Sequence, residues 1–430
     1  MAAASAAAIL ALGGVLHHDP PAAAAGDVLP NAVAAELQKG FAAGDTQAEI
    51  AGLQAELRAT PRNVKALDTL GLAYQQRVRE TGDATYYGKA QGILRESLSL
   101  APHDLIATAA LGQLALSRHR FREALAFGLR ARHISPTTAG VYGVIGDAEI
   151  ELGRYPAAFH AFDYMASLKP SLASYARVSY ARELLGHDAA AEQAMALAAS
   201  AAVGEREASS WTHTQLGLLY LGHSKPRQAL QQLQFALELD PDYYLALDGM
   251  GQVQASLGHL QTAIAFEHRA VDRVPLPQQV GFLGDLYRVT GNHVDAAREY
   301  ALIGVIEKIL AANGVKNDLD IALFDADHRI ALHHALTLAR KGYVDRPSIF
   351  GDDVLGWVLA QNGRCGEALT YSNRSLRLGT QDALKFFHRG WIAACLGDRA
   401  GAATWYRRAL ALNPRFSVLW TPVAQKGALR

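Results

Sequence analysis

The sequence predicts an all-α fold, a right-handed superhelical α-solenoid of about nine to ten stacked helix-turn-helix repeats. Three observations point there. Gly112, Gly146, Gly217, Gly251, Gly284, Gly356 and Gly390 recur in apolar, helical contexts. Four neighbouring pairs (112–146, 217–251, 251–284 and 356–390) share a spacing of about 34 residues, which marks an array of one supersecondary unit. An alanine follows each glycine after twelve residues: Ala124, Ala158, Ala229, Ala263, Ala296, Ala368 and Ala402. A proline follows five of the glycines at twice that interval: Pro136, Pro170, Pro241, Pro275 and Pro414. Small residues on two antiparallel helices let the backbones approach. The proline ends the second helix because it donates no hydrogen bond and restricts the residue before it.

The chain divides accordingly. Residues 1–30 are a signal-like or Ala-rich segment. Ala2–Leu16 is an uncharged apolar run of the length of a signal core, and Ala22–Gly26 supplies small residues of the cleavage type. No Lys or Arg precedes that run, the first being Lys39. Export or a membrane-associated N-terminus is one expectation, and a cytoplasmic protein with an Ala-rich extension is the other. Residues 31–61 are assigned to N-terminal capping helices, the last running Gln47–Thr60 before Pro61. The array fills 62–414. Its first unit, marked by Gly71, Tyr74, Ala90 and Pro102, is expected to carry roughly seven extra residues in its turn, around Glu80–Tyr87. The intervals from Gly146 to Gly217 and from Gly284 to Gly356 are each about two repeats long, so each hides a degenerate unit. Residues 415–430 form a C-terminal helix or tail.

The cleanest unit, Trp211–Pro241, places Leu216-Gly217, Tyr220, Ala229, Ala236 and Pro241 in register. Phe386–Pro414 does the same with Gly390, Ala402, Tyr406, Ala409 and Pro414. These units resemble the tetratricopeptide repeat. The resemblance implies a solenoid whose units touch mainly their neighbours and whose first helices line a long concave face that binds ligands. Inward positions would be Asp68, Gln113, Asp147, Tyr180, Trp211, Gln252, Asp285, Arg288, Trp357, Phe387 and Trp391. Trp and Arg often dominate interface energies, although inward residues also serve as core between adjacent first helices. The Lys, Asn and Arg cluster with which some family members grip a C-terminal carboxylate is missing from these positions.

Composition narrows the function. Half of the 430 residues are hydrophobic, 19% are charged, and 41 Lys+Arg balance 41 Asp+Glu. That excludes a disordered chain and argues against nucleic-acid binding, which rests on clustered cations. No phosphate-binding glycine loop, metalloprotease histidine pair or nucleophile elbow occurs. Most histidines, among them His119, His187, His259 and His293, fall at turns or second helices, where solvated roles are expected. Cys365 starts a second helix and Cys395 ends the next first helix. Both ends lie on one side of the stack, so a disulfide and two buried thiols are the alternatives.

The stretch Asn317–Ala335 packs four aspartates and three histidines into nineteen residues. A metal site there would use Asp325, Asp327, His328 and His333 or His334, with Asp318 and Asp320 near by, a donor set suited to Zn or Mn. Phasing from Pro347 gives another reading. Ala335 takes the alanine slot, Leu323 replaces the glycine, and Gly314 stops an over-long preceding helix. Asp318 and Asp320 then start one helix and Asp327 the next, where carboxylates accept orphan backbone N–H groups. This unit is expected to break the regular curvature between Tyr300 and Pro347.

The sequence therefore predicts a non-enzymatic scaffold, without a cofactor, binding a protein or peptide partner on its concave face. An envelope-associated or exported complex is the expected setting. A small-molecule or metal-binding accessory protein and a self-assembling homo-oligomer are the alternatives.

Overall fold

A computed structural model describes residues 46–429, so the Ala-rich segment and the start of the capping region lie outside the described residues. Every regular element among them is a helix. In chain order these are α1 (Thr46–Ala59), α2 (Val64–Thr81), α3 (Thr85–Leu100), α4 (Leu105–Ser117), α5 (Phe121–Ile134), α6 (Ala139–Glu151) and α7 (Tyr155–Leu168). Next come α8 (Leu172–Leu184), α9 (Asp188–Ala201), α10 (Arg206–Gly222), α11 (Pro226–Leu239), α12 (Tyr244–Leu257), α13 (Leu260–Arg273), α14 (Pro277–Val289) and α15 (His293–Ala312). The last are α16 (Asp318–His328), α17 (Leu332–Asp345), α18 (Ile349–Gln361), α19 (Cys365–Ser375), α20 (Ala383–Cys395), α21 (Arg399–Leu412) and α22 (Thr421–Ala428). From α2 to α21 they pair into ten hairpins, flanked by α1 and α22.

Local chemistry explains the helix starts. Asn63, Asp104, Ser348, Asp382 and Asp398 each cap a helix by accepting a backbone N–H of its first turn. The repeat glycines are sockets. A Cβ on Gly146, Gly217, Gly284 or Gly390 would lie within 3 Å of Phe162, Leu233, Tyr300 or Tyr406, a side chain sixteen residues downstream on the second helix. Gly71 receives Leu94, which lies further downstream by the length of the insertion. The insertion does not enlarge the turn as the sequence suggests. It lengthens α2 to 18 and α3 to 16 residues, because continuing both helices keeps every added peptide hydrogen-bonded.

The first helices are the inner layer and the second helices the outer one. All thirteen residues of α18 are buried, while exposed Leu129, Tyr164, Leu197, Phe235, Val305 and Val344 sit on second helices. The coil also closes on itself. The linker after a second helix meets the hairpin turn of a unit about 195 residues earlier. Arg118 Nη2 donates to the Asn313 carbonyl at 2.6 Å, Arg120 Nε to Gly314 O at 3.0 Å, Thr380 Oγ1 to Leu184 O at 2.5 Å and Asn413 Nδ2 to Leu221 O at 3.4 Å. One superhelical turn therefore holds between five and six hairpins, and successive turns touch. At this seam Gly153 and Gly186 have φ of +73° and +72°, and a Cβ would collide with the carbonyl oxygens of Pro347 and Gly379. Only glycine meets both demands. His119, expected in solvent, lies on the seam instead, its Nδ1 3.0 Å from Lys316 O. His187, His259 and His293 are not buried.

The degenerate unit α16–α17 keeps the repeat's volumes by exchanging them. Leu323 stands in the glycine slot, and Ala339, fully buried, stands where other units place the large downstream side chain. The preceding helix α15 has 20 residues against the usual 14, ends before Gly314 (φ +76°), and delivers 313–316 onto the earlier turn. The backbones of α15 and α16 do not pack as other consecutive helices do. Long aromatics bridge them, with the Tyr300 and Phe324 ring centroids 5.6 Å apart. Asp318 and Asp320 do lie in the first turn of α16. Asp327 does not start the next helix, because α16 continues through His328 and α17 begins only at Leu332.

Cys365 and Cys395 form a disulfide with Cα atoms 6.0 Å apart, spanning α19 and α20. Closing a loop of this length removes denatured-state entropy worth about 3.5 kcal/mol. A reducing agent is thus expected to lower the unfolding free energy by about 2–4 kcal/mol in urea denaturation. Equal midpoints with and without reductant would contradict the cross-link.

Candidate partner surface

Most of the inward positions anticipated from the sequence hold the array together. Asp68 is buried and accepts from Ser97 Oγ, and burial, partly offset by that bond, pushes its pKa up to about 7. Asp147 pairs inside the protein with Arg177, Nε to Oδ1 at 2.9 Å and Nη2 to Oδ2 at 2.6 Å. Gln113, Tyr180 and Trp211 are buried, and Trp357 and Phe387 have no exposed surface at all. Gln252 is half-buried and donates to Asp248, Asp285 and Trp391 are half-buried, and Arg288 is not buried either. Buried side chains present nothing to a partner, so the accessible inner surface narrows to a few residues.

The C-terminal third of the inner face gathers the strongest group. Trp357 on α18, Trp391 on α20 and Trp420 just before α22 meet edge to face, with centroids 5.5–5.8 Å apart and interplanar angles of 70–84°. Phe387 stacks on Trp420 at 5.4 Å and 28°. At their centre Asp327 Oδ1 accepts both the Trp357 and the Trp420 indole N–H groups, at 2.9 and 3.1 Å. Among the described residues Asp327 Oδ2 accepts no hydrogen bond, and it is not among the fully buried unpaired atoms, so this half-buried carboxylate keeps one unfilled oxygen with some contact to solvent. The Trp391 indole N–H is equally without an acceptor and equally unburied. Burial raises the Asp327 pKa, opposed by the nearby His388 and His328 rings.

Two Asp–His pairs flank this group. His328 Nε2 lies 2.7 Å from Asp285 Oδ1, and His328 Nδ1 lies 2.7 Å from the Phe324 carbonyl. Both ring nitrogens face acceptors, which suits the doubly protonated ring. Burial opposes that charge, but the Asp285 hydrogen bond and charge outweigh it and raise the His328 pKa. His388 Nδ1 lies 3.0 Å from Asp353 Oδ2, and its ring stacks on Trp357 at 4.2 Å. The His388 Nε2 atom is buried without a partner, so no hydroxyl or thiol stands where this dyad would activate a nucleophile.

The metal candidates do not act together. Asp327 is held by indoles, His328 is engaged by Asp285, Asp325 is half-buried on α16, and His333 lies on α17. Among the described residues no group of three or more His, Cys, Asp or Glu side chains is placed to hold a metal ion. The reason is helical geometry: Asp325 and Asp327, two apart on one helix, point about 200° apart. A cleft between the two turns, lined by Glu183, Gln215, Gln381 and Asp382, has about 70 Å³ of space. That holds a few waters and falls far short of the ~300 Å³ of a small-molecule pocket. Among the described residues no helix is long and apolar enough to cross a membrane.

No family model matches the sequence, and no curated protein matches it. Solved structures do. The human IFIT1 dimer with m7Gppp-AAAA matches at a TM-score of 0.50 and 15% identity, over 95% of this chain and 94% of that one. The chain has the tetratricopeptide-type repeat fold. Weaker likenesses include a tetratricopeptide repeat protein from Parabacteroides merdae (TM-score 0.42, 13% identity, 64% of this chain and 98% of that one). The Cut9–Hcn1 hetero-tetramer of the APC/C matches at a TM-score of 0.38 and 13% identity, over 93% of this repeat protein and 96% of that chain. Identities this low speak for the fold alone. Sequence reasoning missed Trp420, which lies beyond the repeat register, and the role of Asp327. The one available signal for Trp420 was a fifth tryptophan placed after the last repeat proline.

Proposed function

We propose that this chain is a non-enzymatic repeat scaffold that binds a protein or peptide partner on its concave face, in an exported or envelope-associated setting. One observation carries the reading. On an inner face whose side chains are otherwise largely buried and paired, Trp391 and Asp327 keep polar atoms open beside half-buried Trp420. Half-buried indoles with free hydrogen-bonding capacity are the residue type that anchors partners. The Cys365–Cys395 disulfide supports the exported setting, since such bonds persist in oxidising compartments.

The test is a selection of displayed random peptides on the immobilised full-length protein. Peptides should be enriched on the wild type and lost on a Trp391→Leu variant that unfolds at the wild-type temperature. Enrichment that is indifferent to Trp391, or none at all, would sink the reading.

A further inference from the structure

We propose that the Asp327–Trp391–Trp420 group is a subsite for a primary ammonium, presented as a lysine side chain of the bound peptide. The inference rests on the concave-face reading and adds the chemistry of the group that is recognised.

The carboxylate is preorganised. Two indole N–H groups fix Asp327 Oδ1, so the side chain cannot rotate away, and Oδ2 is left as an open acceptor. The His388 and His328 rings act on it from near by but are themselves engaged by Asp353 and Asp285, and Asp285 adds a second negative charge. Among the described residues no Lys or Arg forms an ion pair with Asp327, whereas Asp318, Asp345 and Asp352 near by are each paired with one. A carboxylate held without a direct Lys or Arg partner beside indole rings attracts a cation, to which it offers a charge-assisted hydrogen bond.

The geometry selects among cations. A guanidinium makes its strongest contact through two parallel hydrogen bonds to both carboxylate oxygens. Oδ1 here already accepts two donors, so the fork finds only one free oxygen. An ammonium is a compact charge that needs a single acceptor. The open Trp391 N–H suits a backbone carbonyl of the same ligand, which favours a peptide over a free amine.

The experiment is calorimetric titration of the full-length protein with an end-blocked Ala-Ala-Lys-Ala-Ala peptide, its norleucine, arginine and glutamate counterparts, and cadaverine. The lysine peptide should bind at least ten-fold more tightly than the norleucine and glutamate peptides, more tightly than the arginine peptide, and less tightly as salt rises. Asp327→Asn keeps an oxygen acceptor for both indoles and should lower lysine-peptide affinity at least ten-fold with an unchanged unfolding temperature. The norleucine comparison needs no variant and stands even if that substitution unfolds the protein. Equal binding of lysine and norleucine peptides overturns the ammonium while leaving a peptide scaffold intact. Cadaverine binding as tightly as the peptide overturns the lysine source. Absence of any heat at millimolar ligand overturns the subsite, and peptides selected without lysine keep the scaffold reading alive independently.

Discussion

Replacing Glu267 with leucine should stabilise the protein by about 3 kcal/mol at pH 8 and by much less at pH 4. Glu267 occupies the position at which other units insert Phe162, Leu233, Tyr300 or Tyr406 into the socket of a glycine, here Gly251. It has no exposed surface, and with both acids ionised neither carboxyl oxygen has a hydrogen-bond partner, Asp248 serving as one only when a proton lies between the two. Burial, followed by the charge of Asp248, raises its pKa well above the ordinary glutamate value. Burial likewise pushes Asp248 up to about 6. An acid whose folded pKa exceeds its unfolded one carries no ionisation cost while protonated in both states. The cost begins as pH rises through the unfolded value of 4.5 and stops growing above the folded value. A buried group without a partner costs about 1–3 kcal/mol, and more when charged, which sets the magnitude. Urea denaturation of wild type and Glu267→Leu at both pH values measures it. A difference between the two proteins that does not change with pH would refute the argument.

Arg346→Met should cost about 3–5 kcal/mol and loosen the coil. Arg346 lies in the linker after α17 and reaches Glu151, 195 residues away at the end of α6, with Nη2 donating to Oε1 at 2.9 Å and a second contact from Nε. Ser348 Oγ stands 3.3 Å from the same carboxylate, and the guanidinium lies 4.2 Å from the Phe350 ring centroid. Both partners are almost wholly buried. Removing one member of a buried pair leaves the other charge desolvated and uncompensated, whereas removing both leaves an apolar contact. The double change Arg346→Met with Glu151→Leu should therefore regain most of the loss. Small-angle scattering should show a larger radius of gyration for the single variant and a near-native one for the double variant. A single variant with unchanged stability and size would show that the pair does not hold the turns together.

These two sites differ in how far the sequence reveals them. The socket behind Glu267 is periodic, and the count from Gly251 to Ala263 locates its hairpin without any structure. The pairing of Arg346 with Glu151 follows no local pattern, because it depends on how many hairpins complete a turn. That number is set by small rotations between neighbouring units, which accumulate along the coil. The same cause explains the inner face. Counting from each glycine places Trp357, Phe387 and Trp391 on the inward side. It cannot say that Trp357 and Phe387 become fully covered while Trp391 stays open, since Trp420 closes over them from outside the register. The aspartates of α16 teach a related lesson. Asp318 and Asp320 fall in the first turn of their helix as read, because that position is set locally, but no side-chain cap forms there and Asp318 pairs with Lys341 instead. Asp327 falls near the helix end instead, and tertiary packing turns it toward two indoles.

By itself the sequence determined the all-α solenoid, its period, the hairpin pairing and the disturbed unit before Pro347. Each of these depends on contacts within one repeat or between neighbours, where spacing along the chain is also spacing in space. Only the tertiary structure decided that successive turns touch, that most inward side chains are sealed, and that one carboxylate among three tryptophans keeps an open oxygen. Those features draw on residues from distant repeats and from beyond the array, and nothing in the period of a single repeat encodes such distances.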